Sequence, residues 1–231
     1  NEIKLKLTIR YFFMKRNHFL QLIIVCLWLF CSFSVFAAPI DSQKAKDWVN
    51  DKGRVLLDTF NEPDLQKKYR QLDELFFKHV DLDYIGKFVV GKYWRQMSAE
   101  QQARYQKIFK RYAISVYKGF PLSFEQRISF AVTGAKSGDA YVDVTAAVDV
   151  GGKNEQEKPQ VFLVTFRLAE KNSELRIIDL KLAESSLILS YRTRFYELFA
   201  ADDGDVEWFL EDLENMTSSA EKANNLRLRE K

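Results

Sequence analysis

Tyr141-Val142-Asp143-Val144-Thr145-Ala146-Ala147-Val148-Asp149-Val150 alternates with a period of two. Its even positions are apolar, and most of its odd ones are polar or aromatic. Such alternation marks a strand with one buried face. The pattern extends outward on both sides. Upstream, Ile128, Phe130 and Val132 alternate with Arg127, Ser129 and Ala131, and Gly134 to Gly138 makes a turn. Downstream, Gly151-Gly152 and a charged stretch to Pro159 form a loop. Val161 to Leu168 and Leu175 to Leu182 read as two further strands joined by a turn at Lys171-Asn172-Ser173. Four consecutive strands with short connections predict an antiparallel meander whose inner face other elements must cover.

Those elements are helices. Asp41 to Phe60 is loosely amphipathic through Trp48, Val49, Val55, Leu56 and Phe60, and Asn61-Glu62-Pro63 ends it. A second helix starts at Asp64, with Leu65, Tyr69, Leu72, Phe76 and His79 on one stripe. Asp81 or Asp83 can cap a third, whose face is Ile85, Phe88 and Val89. Ser98 and Gln101 form a capping box before Tyr105, Ile108, Phe109, Tyr112, Val116 and Tyr117, and Gly119 and Pro121 stop that helix. After the strands, Leu187, Tyr191, Phe195 and Phe199 predict a helix. Asp205 then caps a short one with Val206, Phe209, Leu210 and Leu213. From Thr217 apolar residues thin out, and residues 217–231 are expected to be a charged, disordered tail.

Met14 opens a basic stretch followed by an apolar run from Phe19 to Phe36, which closes on small residues at Ala37-Ala38. Residues 14–37 therefore read as a cleaved signal peptide and residues 1–13 as an upstream extension, with an uncleaved anchor as the alternative. Both cysteines, Cys26 and Cys31, fall in the leader, so the mature chain has no thiol for disulfides, metal or nucleophilic chemistry. Residues 1–37 hold five basic residues and one acidic one. That leaves 30 of the 35 basic and 31 of the 32 acidic residues in the mature chain. Such a balance has no field suited to gathering nucleic acid.

The mature chain keeps one histidine, His79, near Asp81 and Asp83. As a general base oriented by a carboxylate it would suit a hydrolase; as a residue on an apolar stripe at a helix C-terminus it is structural. No Gly-x-Ser-x-Gly elbow, His-Glu-x-x-His pair or phosphate-cradling glycine loop is present. Asp202, Asp203 and Asp205 lack the spacing of a calcium loop and read as a turn between helices. No metal or cofactor is expected. The notable surplus is apolar: with 19 phenylalanines, several large aromatics fall where the sheet faces the helices.

Two segments carry a resemblance. Phe88-Val89-Val90-Gly91-Lys92-Tyr93-Trp94-Arg95, then Ser98-Ala99-Glu100-Gln101-Gln102, Phe109 and Tyr117, resembles the helical signature of the MlaC (toluene-tolerance auxiliary) family. Ile177-Ile178-Asp179-Leu180-Lys181-Leu182, continuing through Ser186-Leu187-Ile188 to Tyr191-Arg192 and Phe195, is similar to that family's closing strand and following helix. The resemblance spans roughly residues 41–215, within an expected domain of residues 38–216. Leu175 stands where the family usually has Trp. Ala183 to Ser185 replaces Glu-Gly-Val, and Ser190 replaces Asn.

The resemblance implies an α+β fold in which N-terminal helices, a four-stranded antiparallel sheet and C-terminal helices enclose an apolar lipid pocket. It implies a non-enzymatic periplasmic phospholipid carrier that maintains outer-membrane lipid asymmetry. The implied partners are an inner-membrane ABC transporter with an MCE-domain subunit and an outer-membrane lipoprotein–porin complex. Burying hydrocarbon is worth about 0.8 kcal/mol per methylene, so a lipid crosses water only when shielded. The candidate lipid-binding residues are Phe88, Tyr93, Phe109, Tyr112, Phe130, Val144, Phe162, Val164, Phe166, Ile178, Leu180, Leu187, Tyr191 and Phe195, with Arg192 near the phosphate. The rival classes are a periplasmic adaptor with a filled core and a periplasmic hydrolase using His79.

Overall fold

Aspartate carboxylates start the first three helices by accepting from otherwise unpaired backbone N–H groups. Asp41 accepts from Gln43 and Lys44 ahead of α1 (Ser42–Phe60). Asp64 accepts from Lys67 ahead of α2 (Leu65–His79), and Asp81 from Tyr84 ahead of α3 (Leu82–Val90). A 3₁₀ turn over Gly91–Arg95 leads to α4 (Ala99–Gly119). The capping box there is reciprocal: Gln101 N donates to Ser98 Oγ at 3.1 Å and Ser98 N to Gln101 Oε1 at 2.8 Å. α5 is Leu187–Ala201 and α6 is Val206–Arg229. The computed structural model describes residues 40–119, 128–153, 159–201 and 203–229, all within the compact unit Pro39–Lys231. The expected extension (1–13) and signal peptide (14–37) lie outside the described residues.

The sheet has five antiparallel strands where the sequence pattern predicts four: β1 (Ser129–Ser137), β2 (Val142–Lys153), β3 (Pro159–Lys171), β4 (Glu174–Leu182) and β5 (Ser185–Ser186), in that spatial order. β5 is two serines long, too short to show any alternation, and it pairs with Leu182 and Lys181. Asn172 and Ser173, at φ 52° and 63°, make the two-residue β3–β4 hairpin between the Lys171–Glu174 pair. Positive φ at both central residues is the twist such hairpins favour. On the outer face Arg167 donates to both Asp143 oxygens, at 2.7 and 2.8 Å, and Lys181 donates to the same carboxylate at 3.1 Å.

Three apolar clusters hold the unit together. The largest joins α3, α4, α5 and α6 through Val89, Tyr105, Phe109, Phe195, Phe199 and Phe209. A second packs Ala45 and Val49 of α1 on Val142, Val144, Leu168 and Leu175 of the sheet. A third surrounds Tyr69 and Leu72 of α2.

The expected disordered tail is instead helix as far as Arg229. Arg111 of α4 ties it down, bonding Glu214 at 2.8 Å and Glu221 at 2.7 Å. Its polar residues also find partners in the interior. Thr217 is buried and bonds the Leu213 carbonyl, and Asn224 Nδ2 donates to the Ser115 carbonyl at 2.9 Å.

The β4–β5 turn departs from ideal chemistry at Ala183, which sits at φ 52°. A left-handed alanine costs about 1–2 kcal/mol, and glycine gives back roughly 0.4–1 kcal/mol of that in unfolded-chain entropy. Ala183→Gly is therefore expected to stabilise the fold by about 0.5–1 kcal/mol, read as an upward shift of the urea midpoint at unchanged slope.

Candidate functional site

The three clusters do not merge, and the space between them is a cavity of about 400 Å³. α1 contributes Trp48, Lys52, Gly53, Leu56 and Phe60 to its wall, and α2 contributes Leu72, Leu75, Phe76 and His79. α4 adds Phe109, Tyr112 and Tyr117; α5 adds Leu187, Ile188 and Tyr191. The sheet supplies Phe130, Val148, Val164, Phe166, Ile177 and Leu180. Gly53 lets α1 approach the sheet, since a Cβ there would lie 2.6 Å from the Phe130 ring. At one end of the wall Leu182 and Leu187 are 55% and 38% exposed, so the cavity has an apolar opening.

The wall is almost uncharged. Burial pushes the phenols of Tyr112 and Tyr117 up and that of Tyr191 to about 12, so all three stay neutral at physiological pH. Asp179, 2% exposed, is committed elsewhere: it accepts from Ser186 Oγ at 2.7 Å and from Ile188 N at 3.3 Å, anchoring the start of α5. That leaves Lys52 and His79 as the basic side chains of the wall among the described residues.

Eight of the fourteen sequence-predicted residues meet in this wall: Phe109, Tyr112, Phe130, Val164, Phe166, Leu180, Leu187 and Tyr191. The other six lie elsewhere. Phe195 is fully buried in the helical cluster, and Tyr93 stacks on Phe199 with centroids 3.9 Å apart. Phe88 packs beneath the Arg192 guanidinium. Val144 is sealed under Ala45 and Val49. Phe162 follows the inner face by register, opposite Val148, but it is 47% exposed and is not part of the wall. Ile178 is displaced by a bulge: Arg167 pairs Asp179 while Leu168 pairs Ile177, so Ile177 takes the inward place. Arg192 is not in the wall either; it donates to the Tyr196 hydroxyl at 3.0 Å.

Sequence reasoning missed most of the α1 and α2 wall. Trp48, Leu56, Leu72 and Phe76 were legible as apolar stripes, but nothing in a stripe separates a packed residue from one beside a void. His79 stands edge-on to Trp48 at 5.4 Å, and neither nearby aspartate bonds it. Asp83 is paired with Lys110 at 2.8 Å, and Asp81 caps α3 and bonds Lys171. The His–Asp pairing that a hydrolase would need is not formed.

The family model for the MlaC protein matches residues 53–215. The chain belongs to the MlaC family. Among solved structures, a phospholipid-binding protein from Ralstonia solanacearum in complex with a phospholipid is similar to it. The TM-score is 0.62 at 21% identity, over 76% of this chain and 98% of that one. At that identity the likeness establishes the α+β fold. Comparison with curated proteins gives no match.

In this MlaC-family chain the α5 wall depends on Asp179. Asp179→Ala removes the acceptor of the Ser186 hydroxyl and of the α5 N-terminus, and is expected to cost about 1–3 kcal/mol. Urea unfolding measures the loss, and Asp179→Asn, which keeps one acceptor oxygen, is expected to lose less.

Proposed function

We propose that this chain is a soluble phospholipid carrier, holding acyl chains between the inner face of its sheet and α1, α2, α4 and α5. The carrying observation is the cavity itself: an aromatic and aliphatic wall with an apolar opening. Membership of the MlaC family and the fold shared with a phospholipid complex support the same reading. A wall that holds chains by dispersion and exclusion of water, with few fixed polar partners, binds and releases a lipid without a large energy step. The cavity favours this reading over an adaptor with a filled core.

The carrier works in the periplasm, reached through the leader at residues 14–37. It exchanges lipid with the MCE-domain subunit of an inner-membrane ABC transporter and with an outer-membrane lipoprotein–porin complex, maintaining outer-membrane lipid asymmetry.

The test is organic extraction and mass spectrometry of protein exported by a Gram-negative host. Near-stoichiometric phospholipid surviving gel filtration is expected. Val164→Trp, which fills the cavity from the middle of β3, is expected to cut the load to less than about half while the fold persists. Lipid-free wild-type protein, under conditions where another family member keeps its lipid, would overturn the proposal.

A further inference from the structure

The cavity wall is chemically lopsided. Its apolar opening lies at Leu182 and Leu187, but on the α1–α2 side the wall carries Lys52 and His79. Trp48 and Lys52 are one turn apart on α1, and the Trp48 ring meets His79, the last residue of α2. No hydrogen bond fixes the imidazole to any described residue, although it is only partly open to solvent. Its desolvation, followed by the charges of Lys52, Lys78 and Arg176, holds its pKa below the ordinary histidine value, with Glu174 opposing. A partly buried, unpartnered imidazole among three cations is an unsatisfied arrangement that an anion would complete.

The acids nearby do not complete it. Asp51 pairs with Lys52 at 2.7 Å, but its side chain is 67% exposed and the two are sequence neighbours. A pair of that kind contributes little, so an incoming anion displaces it at small cost. Glu174, 66% exposed, is held by Arg176. The carbonyl end of α2 would repel an anion, but Arg176 also donates to the Lys78 carbonyl and neutralises that end.

We propose that Lys52 and His79 form an anion subsite that receives the phosphate of a glycerophospholipid whose chains lie in the cavity. This rests on the carrier reading and deepens it. Lys52 Nζ supplies the charge and the imidazole supplies an N–H donor. The Lys52 side chain is 32% exposed, so the phosphate stays at the protein surface and the acyl chains run from there past Phe130 and Phe166 into the cavity. The role assigned from the sequence to Arg192 passes to these two residues, because Arg192 is tied to Tyr196 outside the wall. Phosphate binding favours the protonated imidazole, so retention strengthens as pH falls from about 8 to about 5, where histidine titrates. The charged groups facing His79 in that range are Lys52 and Asp51 from α1, Lys78 from α2, and Glu174 and Arg176 from β4.

The experiment mixes the delipidated exported protein with vesicles containing phosphatidylglycerol or diacylglycerol with the same chains, and measures the lipid retained. Wild type is expected to favour phosphatidylglycerol by roughly tenfold or more, the scale of charge-assisted hydrogen bonds. Lys52→Glu with His79→Gln is expected to abolish that preference and the pH dependence, with circular dichroism checking that the fold persists. The His79 imidazole pKa, followed by NMR, is expected to rise with phosphatidylglycerol and not with diacylglycerol. An unchanged preference in the double variant, or none in wild type, overturns the subsite but leaves the carrier. Uptake of neither lipid by wild type overturns both. Inorganic phosphate that binds equally well without chains, and shifts His79 alone, assigns the subsite to the free ion and overturns the lipid assignment.

Discussion

Tyr93, Phe199 and Phe209 form a continuous stack with centroids 3.9 and 3.8 Å apart, and Phe195 meets Phe209 edge-on. These rings satisfy one another inside the helical layer. Tyr105 is fully buried beside them and sends its hydroxyl to the Gly86 carbonyl at 2.8 Å. A helical layer whose largest side chains are used up in this way has little left to push into the sheet. The sheet is covered most closely where α1 lies on it, through Ala45 and Val49, and the other helices meet it chiefly along β4. The cavity is what remains between a self-contained helical core and a partly covered sheet.

An interior void of this size is costly in an ordinary domain, because the lining atoms lose their dispersion partners. Here the boundary of the void is held by specific contacts. Gly53 brings α1 onto Phe130, Asp179 pins the start of α5 beside the opening, and the bulge at Ile178 turns Ile177 inward. These contacts act on the backbone and keep the walls apart without filling the space. A carrier needs that: rigid walls, and an interior whose contacts are completed by its cargo.

Much of the architecture was legible in the sequence. Capping aspartates, the Ser98–Gln101 box and the switch to alternating residues at Ile128 locate helices and strands because each depends on neighbours a few residues away. The strand β5 and the long α6 were not legible, for different reasons. Two serines carry no period, and the charges of α6 read as a solvated tail until Arg111, Ser115 and Asn224 are seen to pair across helices. The candidate site was half legible. Phe130, Val164 and Phe166 follow from alternation on the inner face, whereas Phe195 and Tyr93 share the same chemistry and went to the helical core.

The sequence by itself determined the order of the elements apart from β5 and the C-terminal half of α6, the face that β1, β2 and β3 turn inward, and the family to which the chain belongs. These rest on local periodicity, caps and short motifs. Only the tertiary structure decided which apolar residues border empty space, that Ile177 displaces Ile178, and that His79 joins Lys52 at the cavity wall while Arg192 does not. Those outcomes depend on how completely separate elements fill the space between them. That property belongs to the packed ensemble of side chains, and no segment of sequence carries it alone.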